Sequence, residues 1–484
     1  MVISVIFLLV NNWSNKTTKI SNFFESDVVA NQKLSFKIFY DKKNTPPFGT
    51  IFSLKTKQGN IVASAGFIRY WNTYSGYQPG EMSFFVKQQD GLTKKMESNF
   101  KTIGKPSKKF KTGFSFVKEN CILFKDMANG NVYKLDDDKL KINTSLDENL
   151  FQLNNDMNYD NKFYANGFIF GLDNNFVVAC KDRFNKGDCF RIEIYKGTWP
   201  YIYAENNGKV IAITNYGSIL IFDGKGWCQA SEHENENYYC DEGLSKKILD
   251  KPRGKQFYSS IYYDGKTLIG AWPTGRLYEF DGKVFKPSLL SPFLEKDYAD
   301  REAQSMAIYG GNLYVGYWPR GEIMIYDHES KSWSLSTRLF SHPVEEDPFI
   351  PYLGQLVGEE SAFLGQRVTS LVAYSNKLFA TTSNLRGWGY DIKNPDFLTN
   401  EQIDEYGRIY SLEKPGCLNT FLNITKESTL IDFIFDKDKV VIKEGDRIIG
   451  QVLNPGFSFD DGLSLVLEEG IFGEFNGQVE ILEN

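Results

Sequence analysis

Ser260–Phe285 reads SIYYDGKTLIGAWPTGRLYEFDGKVF, and Met306–Trp333 reads MAIYGGNLYVGYWPRGEIMIYDHESKSW. Side by side, the two stretches give one order: an alternating apolar run, a Gly-Lys or Gly-Asn turn, a second run, a Gly-containing loop, a third run, then a polar turn ending on an aromatic. Alternation at period 2 between tight glycine turns is the pattern of strands joined as hairpins. The order recurs upstream in Ile202–Trp227 (IYAENNGKVIAITNYGSILIFDGKGW). It recurs downstream over Val368–Leu412, where a longer insert separates VTSLVAYSNKLFATTSN from YGRIYSLEK. Phe114–Leu140 and Phe168–Tyr195 are looser copies. From turn to turn, Gly208 to Gly265 is 57 residues, Gly265 to Gly311 is 46, and Gly311 to Asn376 is 65. A repeat of that length with a period of 2 excludes a helical solenoid and leaves room for four strands per unit.

These units resemble the blades of kelch-like and tryptophan-aspartate-repeat β-propellers. The resemblance rests on G-[KN]-Φ-Φ followed by G-x-Φ-Φ-x-Φ-D-G, with Φ apolar, and neither family's signature residues are present. It implies an all-β protein with a six- or seven-bladed propeller over residues 111–418. Phe52–Val86 offers a seventh copy through GNIVASAG and GEMSFFVKQQDG, so residues 18–110 are read either as an extra blade or as part of a sandwich. Within 419–484, Val440–Asn484 resembles the last hairpins of laminin-G or concanavalin A-like sandwiches. That tail supplies too few strands for a sandwich. The N-terminal SFKIFY and TIFSLKT are therefore candidates to complete it, and a strand from either terminus could instead close the ring.

Composition agrees with a β-rich globule. The 484 residues include 39 Phe, 27 Tyr, 8 Trp and 41 Gly, with 42% hydrophobic and 24% charged residues, which excludes wholesale disorder. Lys+Arg 55 against Asp+Glu 61 gives −6, which argues against nucleic acid as a partner. No apolar run reaches the roughly 18 residues of a membrane span. Met1–Val10 (MVISVIFLLV) has the length of an export-signal core but lacks a positive start and a small-residue cleavage site. Residues 1–17 are read as an atypical export signal, with a buried first strand as the alternative. The six cysteines allow fifteen pairings, and the sequence alone does not choose among them; one set would join Cys180 with Cys189 across a polar turn, Cys228 with Cys240 around an acidic loop, and Cys121 with Cys417 at the two ends of the repeat region. An oxidised chain suits a secreted or cell-surface protein; six reduced cysteines in a cytoplasmic one is the alternative.

Lettering the strands A to D from the channel outward, A–B and C–D turns share one face, and B–C loops and D–A crossovers the other. The long segments Gln229–Gln256, Lys286–Ala303 and Leu335–Gln366 are D–A crossovers, and long loops on a rigid scaffold carry binding residues. The B–C loops repeat Trp272-Pro273-Thr274-Gly275-Arg276 and Trp318-Pro319-Arg320-Gly321, and the next unit has Arg386-Gly387-Trp388 in that place. Proline and glycine stiffen such a turn and hold the indole in one pose. A fixed indole suits stacking on a sugar face, and arginine forks suit carboxylates or sulfates. The alternative is that each tryptophan is a wedge packed between blades. Arg253, Arg301 and Arg367 lie shortly before innermost strands and would form an anion site at the channel mouth, unless carboxylates such as Asp300, Glu302, Glu359 and Glu360 pair with them.

A sialidase would carry such an arginine triad, but its Ser-x-Asp-x-Gly-x-x-Trp boxes are missing. His233, His328 and His342 are too dispersed for a zinc motif, so no metal or cofactor is expected. Glu345, Glu346, Asp347, Glu359 and Glu360 could supply a hydrolytic pair, and nothing in their spacing picks one. The expected function is therefore an exported propeller that binds a glycan or another surface ligand through its B–C and D–A face. A glycoside hydrolase or polysaccharide lyase using the same face is the first alternative, and a protein-interaction scaffold the second.

Overall fold

The computed structural model describes residues 26–482 apart from 29–31, 41–45, 74–79, 88–99, 107–112, 119–120, 127–129, 137–138, 143–161, 182–186, 241–254, 295–300, 344–364, 385–397, 423–427, 437, 454–461 and 468. The chain is all-β. Apart from the short helix Asn400–Asp404 and a 3-10 turn, its described elements are strands in antiparallel sheets, and no described helix is long and apolar enough to cross a membrane. The N-terminal export reading concerns residues 1–17, which lie outside the described residues.

Among the described residues the repeat forms six four-stranded antiparallel meanders. The third runs Pro200–Asn206, Lys209–Thr214, Ile219–Phe222 and Trp227–Glu232; the fourth Gln256–Tyr263, Lys266–Trp272, Leu277–Phe280 and Val284–Pro287. The fifth runs Glu302–Tyr309, Asn312–Trp318, Glu322–Asp327 and Ser332–Arg338. Strand A of each of these packs beside strand A of the next, and Arg367–Tyr374 of the sixth meander packs against Gly113–Lys118 of the first, which is the arrangement of a propeller. The A–B turns need a left-handed residue, and Gly208 (φ 72°) and Gly265 (φ 74°) supply it without the penalty a Cβ would carry. Close packing between meanders imposes a second glycine. A Cβ on Gly316 would stand 2.6 Å from Cβ of Val368 in the next strand A.

Two elements depart from the sequence reading. The copy taken to begin at Phe168 begins a strand earlier, at Phe163–Ala165, so Phe168–Asp173 is strand B. Three residues are too few to show alternation; Phe163 is held as a strand by its packing on Trp71 and Tyr203. The sixth meander takes its outermost strand, Lys101–Gly104, from upstream of the first meander, so a strand from the N-terminal side closes the row.

The remaining strands form two sheets around a shared core containing Phe36, Phe52, Phe433 and Leu465. Gln32–Phe39 pairs with Ser428–Phe435 and Gln478–Leu482, and Gly49–Lys55 pairs with Leu463–Leu467. The two chain ends thus build one body, with the strands Gly49–Lys55, Ile61–Phe67 and Glu81–Val86 inside it rather than in the row of meanders. This body lies over the A–B turns. Asp264 N–H donates to the Ile471 carbonyl at 2.8 Å, and Ser375 and Asn419 exchange backbone bonds at 2.7 and 2.8 Å. Covering that face leaves the B–C and D–A face as the outer one.

Cys180–Cys189 and Cys228–Cys240 are disulfides. The third expected pair is corrected: Cys121 and Cys417 are free, because Cys121 opens strand B of the first meander while Cys417 is buried in the six-stranded sheet of the other body. Cys228–Cys240 secures an additional strand, Tyr238–Cys240, which pairs with strand D of the third meander on one side and strand D of the fourth on the other. Removing the bridge with a Cys240→Ser/Cys228→Ser double variant should cost about 2–4 kcal/mol, read from urea unfolding. A loss below about 0.5 kcal/mol would mean that the strand pairing alone holds this join.

Candidate functional site

The channel between the strands A is where a propeller ordinarily presents a ligand site, and here a segment of the chain enters it along the strands A of the third, fourth and fifth meanders. After Phe67 the sequence Ile68-Arg69-Tyr70-Trp71-Asn72-Thr73 leaves the two-sheet body. Tyr70–Asn72 then pairs antiparallel with strand A of the fourth meander, Trp71 opposite Ser260. Antiparallel pairing carries the chain from the A–B face toward the opposite mouth. Thr73 Oγ1 donates to the Tyr258 carbonyl at 2.7 Å there, and at the other end Ile68 N–H donates to the Glu81 carbonyl at 2.9 Å. Trp71 is buried, its Nε1 donating to the Tyr201 carbonyl at 2.9 Å and its ring meeting Tyr203 edge-on at 5.0 Å.

Arg69 is the polar centre of the insert. Its guanidinium lies between the rings of Phe48 and Phe163, 4.6 and 4.7 Å from their centroids, and forms an ion pair with the buried Glu205 carboxylate. Burial pushes the Glu205 carboxyl upward and the Arg69 charge pulls it back. A second buried carboxyl, Glu81, has no cation beside it among the described residues to oppose burial. It is pushed up to about 8, partly offset by a hydrogen bond from Tyr70. A carboxyl raised on folding is protonated in the folded chain and ionised in the unfolded one between its unfolded value near 4.5 and about 8, so stability falls as pH rises through that window. Glu81→Gln should remove up to ~1.4 kcal/mol per pH unit of this slope, measured by denaturant unfolding from pH 5 to 9. Parallel pH profiles for the two proteins would show that Glu81 is ionised in both states.

At the open mouth each of four successive strands A carries a bulge at the same position: between Pro200 and Ile202, Phe257 and Ser259, Ala303 and Ser305, and Val368 and Ser370. The extra residues Tyr201, Tyr258, Gln304 and Thr369 therefore occupy equivalent places around the rim. Tyr201 and Tyr258 meet edge-on at 5.6 Å. Beside them Asn215 N–H donates to the Trp199 carbonyl at 3.0 Å and the Asn215 side-chain oxygen accepts from Trp199 N–H at 3.1 Å, which brings the exposed Tyr195 and Tyr216 to the same corner. Reading the Trp-Pro turns alone overlooked this cluster, although Tyr195-Lys196-Gly197-Thr198-Trp199-Pro200-Tyr201 contains a third Trp-Pro pair.

The Trp-Pro-x-Gly turns fasten neighbouring meanders. Arg301 N–H donates to the Pro273 carbonyl at 2.7 Å, and Gln366 N–H to the Pro319 carbonyl at 3.0 Å. The expectation that Trp272, Trp318 and Arg320 share an open surface needs correction. Trp318 is 1% exposed, with its indole against the backbone of Gly365, so it is a wedge; Trp272 and Arg320 are half-buried. Two arginines of the expected anion site, Arg301 and Arg367, are paired with carboxylates, and so is Arg276 of the first Trp-Pro turn. Arg367 grips Glu302 with both edges of its fork at 2.9 and 2.7 Å, Arg301 reaches Glu322 at 2.7 Å, and Arg276 reaches Glu236 at 3.2 Å. Glu236 also accepts from Lys255 at 2.7 Å and Tyr278 at 3.0 Å, which holds its carboxyl below the ordinary range despite partial burial. Arg253, Arg386 and Trp388 lie outside the described residues, as do Glu345, Glu346, Asp347, Glu359 and Glu360.

No family model matches the chain, and no curated protein matches it. Among solved structures it is similar to YCF48 bound to D1 peptide, at 11% identity over 68% of this chain and 98% of that one, with a TM-score of 0.27. It is similar to BamB from Moraxella catarrhalis at 14% identity over 62% and 79%, with a TM-score of 0.27. It is also similar to PorZ of Porphyromonas gingivalis at 12% identity over 71% and 50%, with a TM-score of 0.22. At these scores the likenesses assign no activity and no ligand to the chain.

Proposed function

We propose that this chain is a protein-interaction scaffold: a six-bladed propeller over residues 101–413, backed by a β-sandwich built from both chain ends, that presents its B–C and D–A face to a protein partner. The observation that carries the reading is the aromatic rim of Tyr195, Trp199, Tyr201 and Tyr216 above a channel that the chain's own Arg69–Thr73 enters. The insert covers part of the channel wall, along the strands A of the third, fourth and fifth meanders. The rim offers Tyr and Trp, which supply large contact area at low entropic cost in protein recognition. The glycan reading has less support, since Trp318 is buried and Arg367, Arg301 and Arg276 are each bonded to a carboxylate, while the carboxylates of the hydrolase reading lie outside the described residues. Two disulfides favour export from a reducing compartment.

A photo-crosslinking residue at Tyr216, with one at Ile448 on the other body as control, tests the proposal in the producing cell. A discrete protein adduct from position 216 and none from 448 is expected. Glycan-array binding abolished by Trp272→Ala, or release of reducing sugar, would overturn the scaffold reading in favour of carbohydrate chemistry.

A further inference from the structure

Where the row of meanders meets the two-sheet body, one histidine stands among three separate parts of the chain. His328 lies in the C–D turn of the fifth meander, between Glu322–Asp327 and Ser332–Arg338, and is half-buried. Tyr263 ends strand A of the fourth meander. It is buried, and its hydroxyl lies 3.2 Å from His328 Nδ1, with the two rings edge-on at 5.9 Å. The next residue, Asp264, is the one whose N–H donates to the Ile471 carbonyl of the body. The body also reaches the turn directly: Lys87, just after the strand Glu81–Val86, forms an ion pair with Glu329.

The charged groups around the imidazole are evenly matched. Asp264 of the fourth meander and Asp327 of the turn favour a charged ring, while Lys331 of the turn and Lys87 of the body oppose it. Glu329 is taken up by Lys87, and burial pushes the phenols of Tyr263 and Tyr326 further above their ordinary range, so both stay neutral. With two carboxylates set against two ammonium groups, burial decides, and burial disfavours the imidazolium. The hydrogen bond acts in the same direction. A neutral ring can accept the Tyr263 proton at Nδ1, whereas an imidazolium carries protons on both nitrogens and cannot.

We infer that this joint is acid-sensitive: taking up a proton at His328 loosens the seating of turn 327–331 against the fourth meander and the two-sheet body. Histidine is the side chain whose charge ordinarily changes between pH 5 and 8. As pH falls below 6.5, a ring released to water takes up its proton before the seated ring does. The seated form therefore loses stability as pH falls from 6.5 to the seated ring's own lower value, and loses no more below it. Opening the turn alone brings the ring to water, because the strands on either side keep their ladder with each other. The slope is opposite in sign to that of Glu81, so a His328 variant separates the two.

Two measurements on the full chain with its disulfides intact test this. With carbon-13-labelled histidine, NMR follows the rings one by one, since the chain has three histidines and His328→Gln identifies the signal. The His328 midpoint should lie below 6.5. Hydrogen exchange over residues 262–268, read by mass spectrometry, reports the joint through the bond from Asp264 to Ile471. Wild type and His328→Gln are compared at equal pH, which cancels the intrinsic chemistry. From pH 7.5 to 5, opening in the wild type should rise ~5–30-fold relative to His328→Gln, whose side-chain oxygen still accepts from Tyr263. His233→Gln, at an exposed position, should behave as the wild type. A His328 midpoint at or above 6.5 overturns the inference, and decides it even if His328→Gln does not fold. Exchange that stays equal in wild type and His328→Gln over that range also overturns it.

Discussion

Arg69→Ala is expected to destabilise the protein by about 3–5 kcal/mol, because it leaves the buried Glu205 carboxylate without its cation. The guanidinium also fills the gap between Phe48 and Phe163, so truncation removes packing as well as charge. Urea unfolding with the slope held as a control gives the number. A double variant, Arg69→Met with Glu205→Leu, separates the two contributions. Removing both charges eliminates the desolvation cost of each, and such replacements are commonly neutral or stabilising by ~1–4 kcal/mol. If Arg69→Ala costs under about 1 kcal/mol, the insert is not held by this pair.

Trp318→Ala should be the next most damaging change, at about 3–5 kcal/mol, because the indole is enclosed between the fifth and sixth meanders and Gly365 closes over it. Trp272 occupies the same place in the repeat but is half-buried, so Trp272→Ala should cost under ~2 kcal/mol. Differential scanning calorimetry of the two variants compares them directly. Equal losses would mean that the two turns do one job, and a near-neutral Trp318→Ala would contradict its burial.

The glycine turns and the period-2 runs made most of the meanders readable, since a tight turn imposes a local backbone requirement that only a few residues meet. Gly208, Gly265 and Gly311 mark A–B turns for that reason. The pairing of SFKIFY and TIFSLKT with C-terminal strands followed from counting strands. What could not be read depends on contacts between distant residues. A Trp-Pro-x-Gly turn fixes an indole equally well against solvent or against a neighbouring meander, and only the approach of Gly365 decides for Trp318. Arg69 has no local pattern beyond being a lone charge in the apolar run GFIRYW, and its partner Glu205 lies far along the chain. The channel insert was therefore invisible, and with it the fact that the mouth does not open onto an empty channel.

The pairing of Gln32–Phe39 with Ser428–Phe435 and of Lys101–Gly104 with Ile409–Glu413 has a consequence for biosynthesis. Synthesis runs from the N-terminus at about 5–20 residues per second, so Gln32–Phe39 waits about 20–80 s for a partner some 400 residues downstream. Throughout that interval the nascent chain carries apolar strands with open edges, and the Arg69 segment has no finished channel to enter. Until the C-terminal strands emerge, such edges are prone to aggregate. Losing the last few dozen residues would strand the first strands as surely as the last.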